Sequence, residues 1–219
     1  MSDQKRPYRM KLRAESEAQT RLRITESAVA LHEELGPART TIGAIADRAG
    51  VRRSTVYRHF RDEEELFDAC SSHWRSENPP PDVGAWAAID DPSERTEAAL
   101  RELYAFYAST RRMYESLLRD EELVPVVRRR LRDFHDYLRS AQDVLMAGRG
   151  LRGRAAQRTR AAIGHAVAFP TWHSLTQEQQ LSEGDAVALM CRLVEEAAGV
   201  RDEGRSRKDE RATLRPPPS

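Results

Sequence analysis

Apolar side chains recur along most of this chain at the three- and four-residue spacing of an α-helix. Between residues 14 and 35, for example, Ile24, Ala28, Leu31 and Leu35 follow one another at steps of four, three and four residues. No segment alternates apolar and polar residues over the length of a strand. The pattern therefore predicts an all-α fold of about nine helices.

Two of the predicted helices are short and meet at Gly50. The first begins after Thr41, whose hydroxyl can cap the free amides of a helix, and it carries Ile45 and Ala49 on its apolar side. Gly50 can take a positive φ without steric cost, so a second helix over residues 53–60 can cross the first at a steep angle. This arrangement is typical of a helix-turn-helix.

The second of these helices has one apolar and one polar face. Val56 and Phe60 lie on the apolar face, and arginines, hydroxyls and a tyrosine occupy the other. Arginine forks match guanine edges and phosphates, while hydroxyls suit phosphate oxygens. We therefore expect the DNA contacts to come from Thr40, Thr41, Arg52, Arg53, Ser54, Thr55, Tyr57, Arg58 and His59. The alternative is a helical hairpin that only packs.

Residues 40–60, TTIGAIADRAGVRRSTVYRHF, resemble the N-terminal domain of the TetR family of transcriptional repressors. The matching positions are Thr40, Thr41, Ile45, Ala46, Ala49, Gly50, Val51, Thr55, Tyr57, His59 and Phe60. The family usually has a phosphate-holding lysine near the start of the next helix, where this chain has Glu63. An acid suits a helix N-terminus but repels DNA, which leaves open whether Arg61 takes over that contact.

The resemblance also implies an architecture. Three helices form the DNA-binding head, a fourth connects it, helices five to seven surround a pocket, and the last two form a homodimer interface. Together with the composition this gives a flexible basic arm (1–13), a DNA-binding domain (14–62), a helical effector-binding and dimerisation domain (63–200) and a disordered tail (201–219). Small and apolar residues in the last two helices favour the dimer independently.

Further helices follow from the periodicity and from helix-capping signals. They are predicted over 63–75, 91–107, 113–118, 122–147, 155–175 and 182–199, with a loop over 76–91. Pro170 should kink the helix that contains it, because proline removes a backbone donor.

Aromatic and polar-tipped side chains are frequent in helices five to eight. We expect them to line a pocket for a small, largely apolar effector: Tyr104, Tyr107, Tyr114, Phe134, Tyr137, His165, Phe169 and Trp172. Aromatic residues at helical spacing belong to a core more often than to a ligand site, so a plain hydrophobic core is the alternative interpretation.

The net charge of +1 conceals an uneven distribution. Residues 1–62 carry 13 Lys and Arg against 8 Asp and Glu, whereas the remainder carry 23 against 27. The basic excess therefore coincides with the DNA motif.

Several other classes of protein are excluded by the sequence. His135, His165 and His173 lack the i,i+4 spacing of a metal site, and two cysteines, Cys70 and Cys191, make neither a disulfide framework nor a zinc motif. No nucleophile with its base and no phosphate-binding glycine loop is present, so we expect no enzyme, cofactor or metal. No apolar run approaches the roughly 18 residues of a membrane span, and the polar N-terminus is not a signal peptide, which favours a cytoplasmic protein.

Two functions remain. The first is a dimeric repressor that binds a palindromic double-stranded operator and is released by a small effector. The second is a helical protein-interaction module on the same scaffold without operator binding, for which the glutamates at 63–65 are the only support.

Overall fold

The computed structural model describes the backbone of residues 5–199 and the side chains of residues 10–199. Within this part the regular structure consists of α-helices, with one 3-10 turn at Pro37–Arg39 and one π-helical turn at Ser174–Glu178. The helices are α1 (Lys5–Leu35), α2 (Ile42–Ala49), α3 (Arg53–His59), α4 (Glu63–Glu77), α5 (Val83–Ala87), α6 (Pro92–Asp120), α7 (Pro125–Met146), α8 (Gly153–Ala166), α9 (Phe169–His173) and α10 (Glu183–Gly199). The all-α prediction is confirmed.

The described chain divides into two compact units. Unit one contains residues up to 81 and residues 106–137, and unit two contains residues 82–105 and those from 138 onwards. This division does not fall at the predicted boundary between residues 62 and 63, because α4 packs against α1.

In unit one, α1 packs against α2, α3 and α4. The apolar stripe predicted on α1 is buried, with Ile24 and Ala28 inaccessible to solvent. Phe60, Phe67 and Trp74 are buried as well. Helices α2 and α3 therefore rest on a hydrophobic core that they share with α4.

In unit two, α8 packs against α10. Ser182 caps α10 as predicted, since its hydroxyl accepts a bond from Asp185 N (3.1 Å) and donates to the Asp185 carboxylate (2.7 Å). Two buried arginines hold loop ends by binding backbone carbonyls: Arg95 donates to Ala147 O (2.8 Å) and Arg149 to Pro92 O (3.0 Å).

The predicted flexible arm over residues 1–13 is wrong for residues 5–13, which belong to α1. Pro7 lies in the first turn of α1, where its missing N–H costs nothing. Arg13 then pairs with Glu17 (3.2 Å) one turn later, and such i,i+4 pairs favour a helix. Residues 1–4 and the tail predicted over 201–219 lie outside the described residues.

The predicted loop over 76–91 contains α5. The Asp82 carboxylate caps α5 by accepting a bond from Gly84 N (2.8 Å). Trp86 is buried, and its indole N–H donates to Glu102 (2.8 Å). Burial of the Trp86 side chain thus stabilises a helix in a segment where three prolines indicated a loop.

The helices predicted over 91–107 and 113–118 form a single helix, because α6 runs without a break from Pro92 to Asp120. The residues between the two predictions contain no glycine or proline, and the hydroxyl of Thr110 bonds back to Phe106 O (2.6 Å) within the helix. The helix predicted over 155–175 is instead interrupted after Ala166, and Pro170 lies in the first turn of α9. Proline therefore starts a new helix rather than bending an existing one.

No helix among the described residues is both long and apolar enough to cross a membrane.

Candidate nucleic-acid interface

The turn between α2 and α3 has the predicted local geometry. The Thr41 hydroxyl accepts a bond from Ala44 N (3.2 Å) and caps α2. Gly50 ends α2 in the left-handed conformation (φ 64°, ψ 38°), and Val51 N donates to Ala46 O (2.9 Å). These bonds satisfy the last carbonyls of α2 and set the direction in which α3 begins.

Helix α3, which we call the recognition helix, is anchored by its apolar face. Val56 and Phe60 are each 1% exposed. Of the nine predicted DNA contacts, six are exposed (Thr41, Arg52, Arg53, Ser54, Tyr57 and Arg58) and three are partly buried (Thr40, Thr55 and His59). Tyr57 is 49% exposed, which is high for a large aromatic side chain and leaves its hydroxyl available to a partner.

The two threonines at the start of α2 differ in their bonding. The Thr40 hydroxyl donates to Gly36 O (2.8 Å) and so stabilises the turn before the helix. Thr41 lies at the helix start, and a Cβ atom placed on Gly43 would come within 3.9 Å of Arg53 Nε. Arg53 therefore lies close to the N-terminus of α2, where free amides and the helix dipole favour a phosphate.

The side chain of His59 is oriented so that one of its two ring nitrogens is buried. Its Nε2 is buried and makes no hydrogen bond among the described residues, so Nδ1 is the nitrogen left for a phosphate. Burial lowers the pKa of His59, and the positive charges of Arg58 and Arg21 lower it further. Both effects favour the neutral form of the ring.

Sequence reasoning missed Arg21 on α1. Its guanidinium donates to His59 O and to the Glu65 carboxylate (3.2 Å), and it lies 4.0 Å above the centre of the Phe60 ring. The same carboxylate accepts a bond from Arg61 N (2.9 Å). Arg21 thus holds the C-terminal end of the recognition helix, through partners about forty residues away in sequence that no local pattern indicates.

The acidic start of α4 is largely compensated. Asp62 caps the helix by accepting a bond from Glu65 N (2.8 Å), and this bond is the main reason that the pKa of Asp62 is lowered. Glu64 pairs with Arg129 and Glu65 with Arg21. Two of the three glutamates that follow Asp62 therefore face a positive charge, which reduces their repulsion of DNA.

Unit one also contains a cavity of about 200 Å³ between α1, α4, α6 and α7. Its wall includes Tyr114, Phe134 and Tyr137, three of the residues expected at an effector pocket. Tyr107 packs against the rings of Tyr114 and Phe134 without lining the cavity.

The other four residues predicted for the pocket belong to unit two: Tyr104, His165, Phe169 and Trp172. Tyr104 is buried and donates to Ala166 O (2.9 Å), Phe169 and Trp172 pack on each other, and His165 is exposed. A pocket formed by all eight residues stays a prediction, and three of them line the cavity of unit one. Helical periodicity identifies buried faces without saying which faces meet. The wall supplied by α1 and α4 was missed for the same reason.

Among residues 10–199 no group of three His, Cys, Asp or Glu side chains is placed to hold a metal ion.

Comparison with known proteins relates the N-terminal part to one family. The family model described as "Bacterial regulatory proteins, tetR family" matches residues 24–70. The HTH-type transcriptional regulator AcrR of Shigella flexneri is 41% identical over 59 residues, which are 26% of this chain and 27% of that protein. The chain thus matches about a quarter of the length of this curated relative.

Solved structures resemble the chain over most of its length. A TetR-like transcriptional regulator from Rhodococcus sp. RHA1 has a TM-score of 0.60 at 18% identity, covering 83% of this chain and 97% of that one. The transcriptional regulator FadR from Bacillus subtilis, solved in complex with stearoyl-CoA, has a TM-score of 0.54 at 18% identity, covering 81% and 97%. At this identity the likeness concerns the fold, and all three proteins are named as regulators rather than enzymes. Residues 24–70 are thus similar in sequence to the N-terminal part of the TetR family of bacterial regulatory proteins.

Proposed function

We propose that this chain is a transcriptional repressor that binds a palindromic DNA operator as a homodimer and is released by a small-molecule effector. The observation that carries this proposal is the recognition helix, which presents its polar face to solvent while Val56 and Phe60 anchor it. An exposed helix of this kind fits the major groove of DNA.

The DNA contacts are assigned by chemistry. Arg52, Arg53 and Arg58 bind base edges or phosphates through their forked donors, and Tyr57 and His59 donate to phosphates. Thr40, Thr41, Ser54 and Thr55 complete the contact surface around the start of α2 and the recognition helix.

The homodimer forms through α8 and α10, which correspond to the last two predicted helices. On α10, Leu189 and Leu193 are 36% and 40% exposed and lie one turn apart, so they form an apolar ridge. Burying this ridge against a second copy would remove it from water. A two-fold axis then places two recognition helices about 34 Å apart, the separation of successive major grooves.

The effector binds in the cavity of unit one. Trp74 on α4 and Tyr114 on α6 both contribute to its wall. A ligand there releases DNA only if it binds more tightly to the conformation of the dimer in which the spacing of the two DNA-binding heads does not match the operator. Helix α4 follows the recognition helix in sequence and lines the cavity. It is therefore the element whose position the ligand changes.

Binding to genomic DNA fragments at two salt concentrations tests this function. We expect Arg53→Ala and Tyr57→Ala each to weaken binding at least tenfold, and Arg53→Ala also to reduce the salt dependence by about one phosphate contact. Arg132→Ala, an exposed arginine of α7, serves as the control and should bind like the wild type. Binding that is absent at low salt, or that has no salt dependence and ignores both substitutions, would favour a protein-interaction module instead.

A further inference from the structure

Helices α4 and α7 are joined by charged side chains along one side of the cavity. Three ion pairs connect them: Glu64 with Arg129, Asp68 with Arg130, and Asp133 with Arg75 (3.1 Å). Among the described residues that line the cavity, the charged side chains are Arg75, Arg130 and Asp133. Asp68 is not part of the lining but pairs with Arg130, so the charges of these two ion pairs cancel, and they are confined to the α4–α7 side.

The rest of the cavity wall is uncharged at neutral pH. Burial lowers the pKa of His32 to about 4, and the nearby Asp120 offsets this only in part. Burial also raises the pKa of the Cys70 thiol to about 12 and raises the pKa of Tyr114. A charged group placed among these side chains would lose its hydration without gaining a group of opposite charge, which favours a neutral group for the buried part of a ligand.

Arg75 and Arg130 retain the capacity to bind an anion. A guanidinium has five N–H donors in a fixed fork. Arg75 uses Nη1 for Asp133, and Arg130 directs Nε (3.0 Å) and Nη2 to a single oxygen of Asp68. A ligand carboxylate can therefore share or replace either aspartate, in geometry that arginine is suited to bind.

We propose that the effector of this cavity is an organic monocarboxylate, with its ionised end on Arg75 and Arg130 and its apolar body against the aromatic wall. A single carboxylate suits the guanidinium N–H donors of these two arginines, which bind carboxylates in bidentate geometry. The volume of about 200 Å³ suits a ligand with on the order of ten non-hydrogen atoms. This names the chemical class of the effector and rests on the proposed function only where DNA release is concerned.

The same ion pairs explain how binding of such a ligand would affect the DNA-binding helices. A carboxylate on Arg75 and Arg130 competes with Asp133 and Asp68, and so weakens the connection of α4 to α7. Helix α4 also carries Glu65, which pairs with Arg21 at the end of the recognition helix. Exchange of ion pairs at the cavity therefore changes the constraint on the DNA-binding helices, whereas a neutral ligand of the same shape leaves the pairs in place.

Calorimetric titration of the full-length protein without DNA tests the proposal. The probes are octanoate, its neutral counterpart octanamide and the cation octylammonium. We expect octanoate to bind at least tenfold more tightly than the other two. Arg75→Gln and Arg130→Gln should remove that preference while leaving the octanamide affinity unchanged, which also shows that the cavity is intact.

The substitution Asp133→Asn should change the octanoate affinity in the opposite direction. It frees Arg75 from its competitor and should strengthen octanoate binding several-fold, whereas Arg132→Gln, which lies outside the cavity, should change nothing. The proposal is overturned if octanamide or octylammonium binds as well as octanoate, if none of the probes binds at millimolar concentration, or if the substitutions leave the octanoate preference unchanged. DNA binding plays no part in these titrations, so their failure and the failure of operator binding are separate results.

Discussion

At the residue scale, Arg21 is the side chain that fixes the end of the recognition helix. It binds His59 O, pairs with Glu65 and covers the Phe60 ring. We expect Arg21→Ala to weaken DNA binding at least tenfold, because the helix end is no longer held in place. The cost in global stability should be only about 1 kcal/mol, since Arg21 and Glu65 are partly exposed to solvent.

Affinity for a fixed DNA fragment and urea unfolding, measured on the same sample, check this prediction. Arg23→Ala is the matched control, since Arg23 is an exposed arginine of the same helix. If Arg21→Ala binds DNA like the wild type, Arg21 has no positioning role.

His32 makes the stability of unit one depend on pH. Burial lowers its pKa to about 4, well below the value of 6.5 for an exposed histidine. The unfolded chain therefore binds the proton more readily, and the free energy of unfolding falls as the pH drops below about 6.5. The loss attributable to His32 should be about 2 kcal/mol between pH 8 and pH 5.

Urea unfolding of the wild type and of His32→Gln across this pH range measures the effect. The variant should lose less stability than the wild type on acidification, by about that amount, whatever its stability at pH 8. His135→Gln, at a partly exposed position on α7, should keep the wild-type pH dependence. Parallel curves for wild type and His32→Gln would show that His32 is not buried in its neutral form.

At the scale of elements, the C-terminal end of α6 is tied to the turn between α1 and α2. Buried Asp120 accepts bonds from Ala38 N (2.9 Å) and from Arg119 (2.9 Å), and Arg119 in turn donates to Leu35 O (3.0 Å). A helix that lines the cavity is thereby joined to the segment that leads into the recognition unit.

Replacing Asp120 by Ala should destabilise the protein by about 1–3 kcal/mol, because the backbone N–H of Ala38 and the guanidinium of Arg119 lose the buried carboxylate that accepts their bonds. Asp120→Asn keeps an acceptor oxygen for Ala38 and should cost less. Thermal or urea unfolding of both variants gives the comparison. Equal stability of Asp120→Ala and the wild type would mean that this bond contributes nothing to the junction.

Sequence patterns predicted best those elements whose signals are local. Thr41, Gly50 and Ser182 define helix ends through bonds to neighbours within a few residues, and those ends lie where predicted. The order around Trp86 depends on Glu102, sixteen residues away, so it was missed. The start of α1 was missed because the five basic residues within 1–13 indicated an arm, although Arg13 pairs with Glu17 in the helix. The polar face of the recognition helix was predictable because periodicity alone defines it.

The cavity shows what local sequence patterns do not predict. Its aromatic residues were recognised, but their partners were not, because the meeting of α4 with α7 is set by contacts such as Arg75 with Asp133, 58 residues apart. Periodicity orients each helix relative to a core. It does not say which helices share that core.

At the scale of the whole molecule, the proposed homodimer depends on the apolar ridge of α10. The double substitution Leu189→Lys and Leu193→Lys should produce a monomer, because it places charges in the interface. The monomer should bind a two-site operator at least a hundredfold more weakly, since one head buries too little surface to bind tightly. Sedimentation equilibrium and DNA titration measure the two effects.

Leu123→Lys is the control for that experiment, since Leu123 is 70% exposed and lies in unit one between α6 and α7. It should leave both association and operator binding unchanged. A double variant that remains dimeric would show that the ridge is not the interface.

The most direct test of the central claim is selection of bound DNA from a random duplex pool by the full-length protein. If the exposed face of the recognition helix reads DNA from a two-fold dimer, the recovered sequences should share an inverted repeat whose half-site centres lie about ten base pairs apart, or more if the DNA is deformed. Arg53→Ala should relax the preference within each half-site. Recovery of no common sequence, or of a single unrepeated site that Arg53→Ala recovers equally well, would contradict the account.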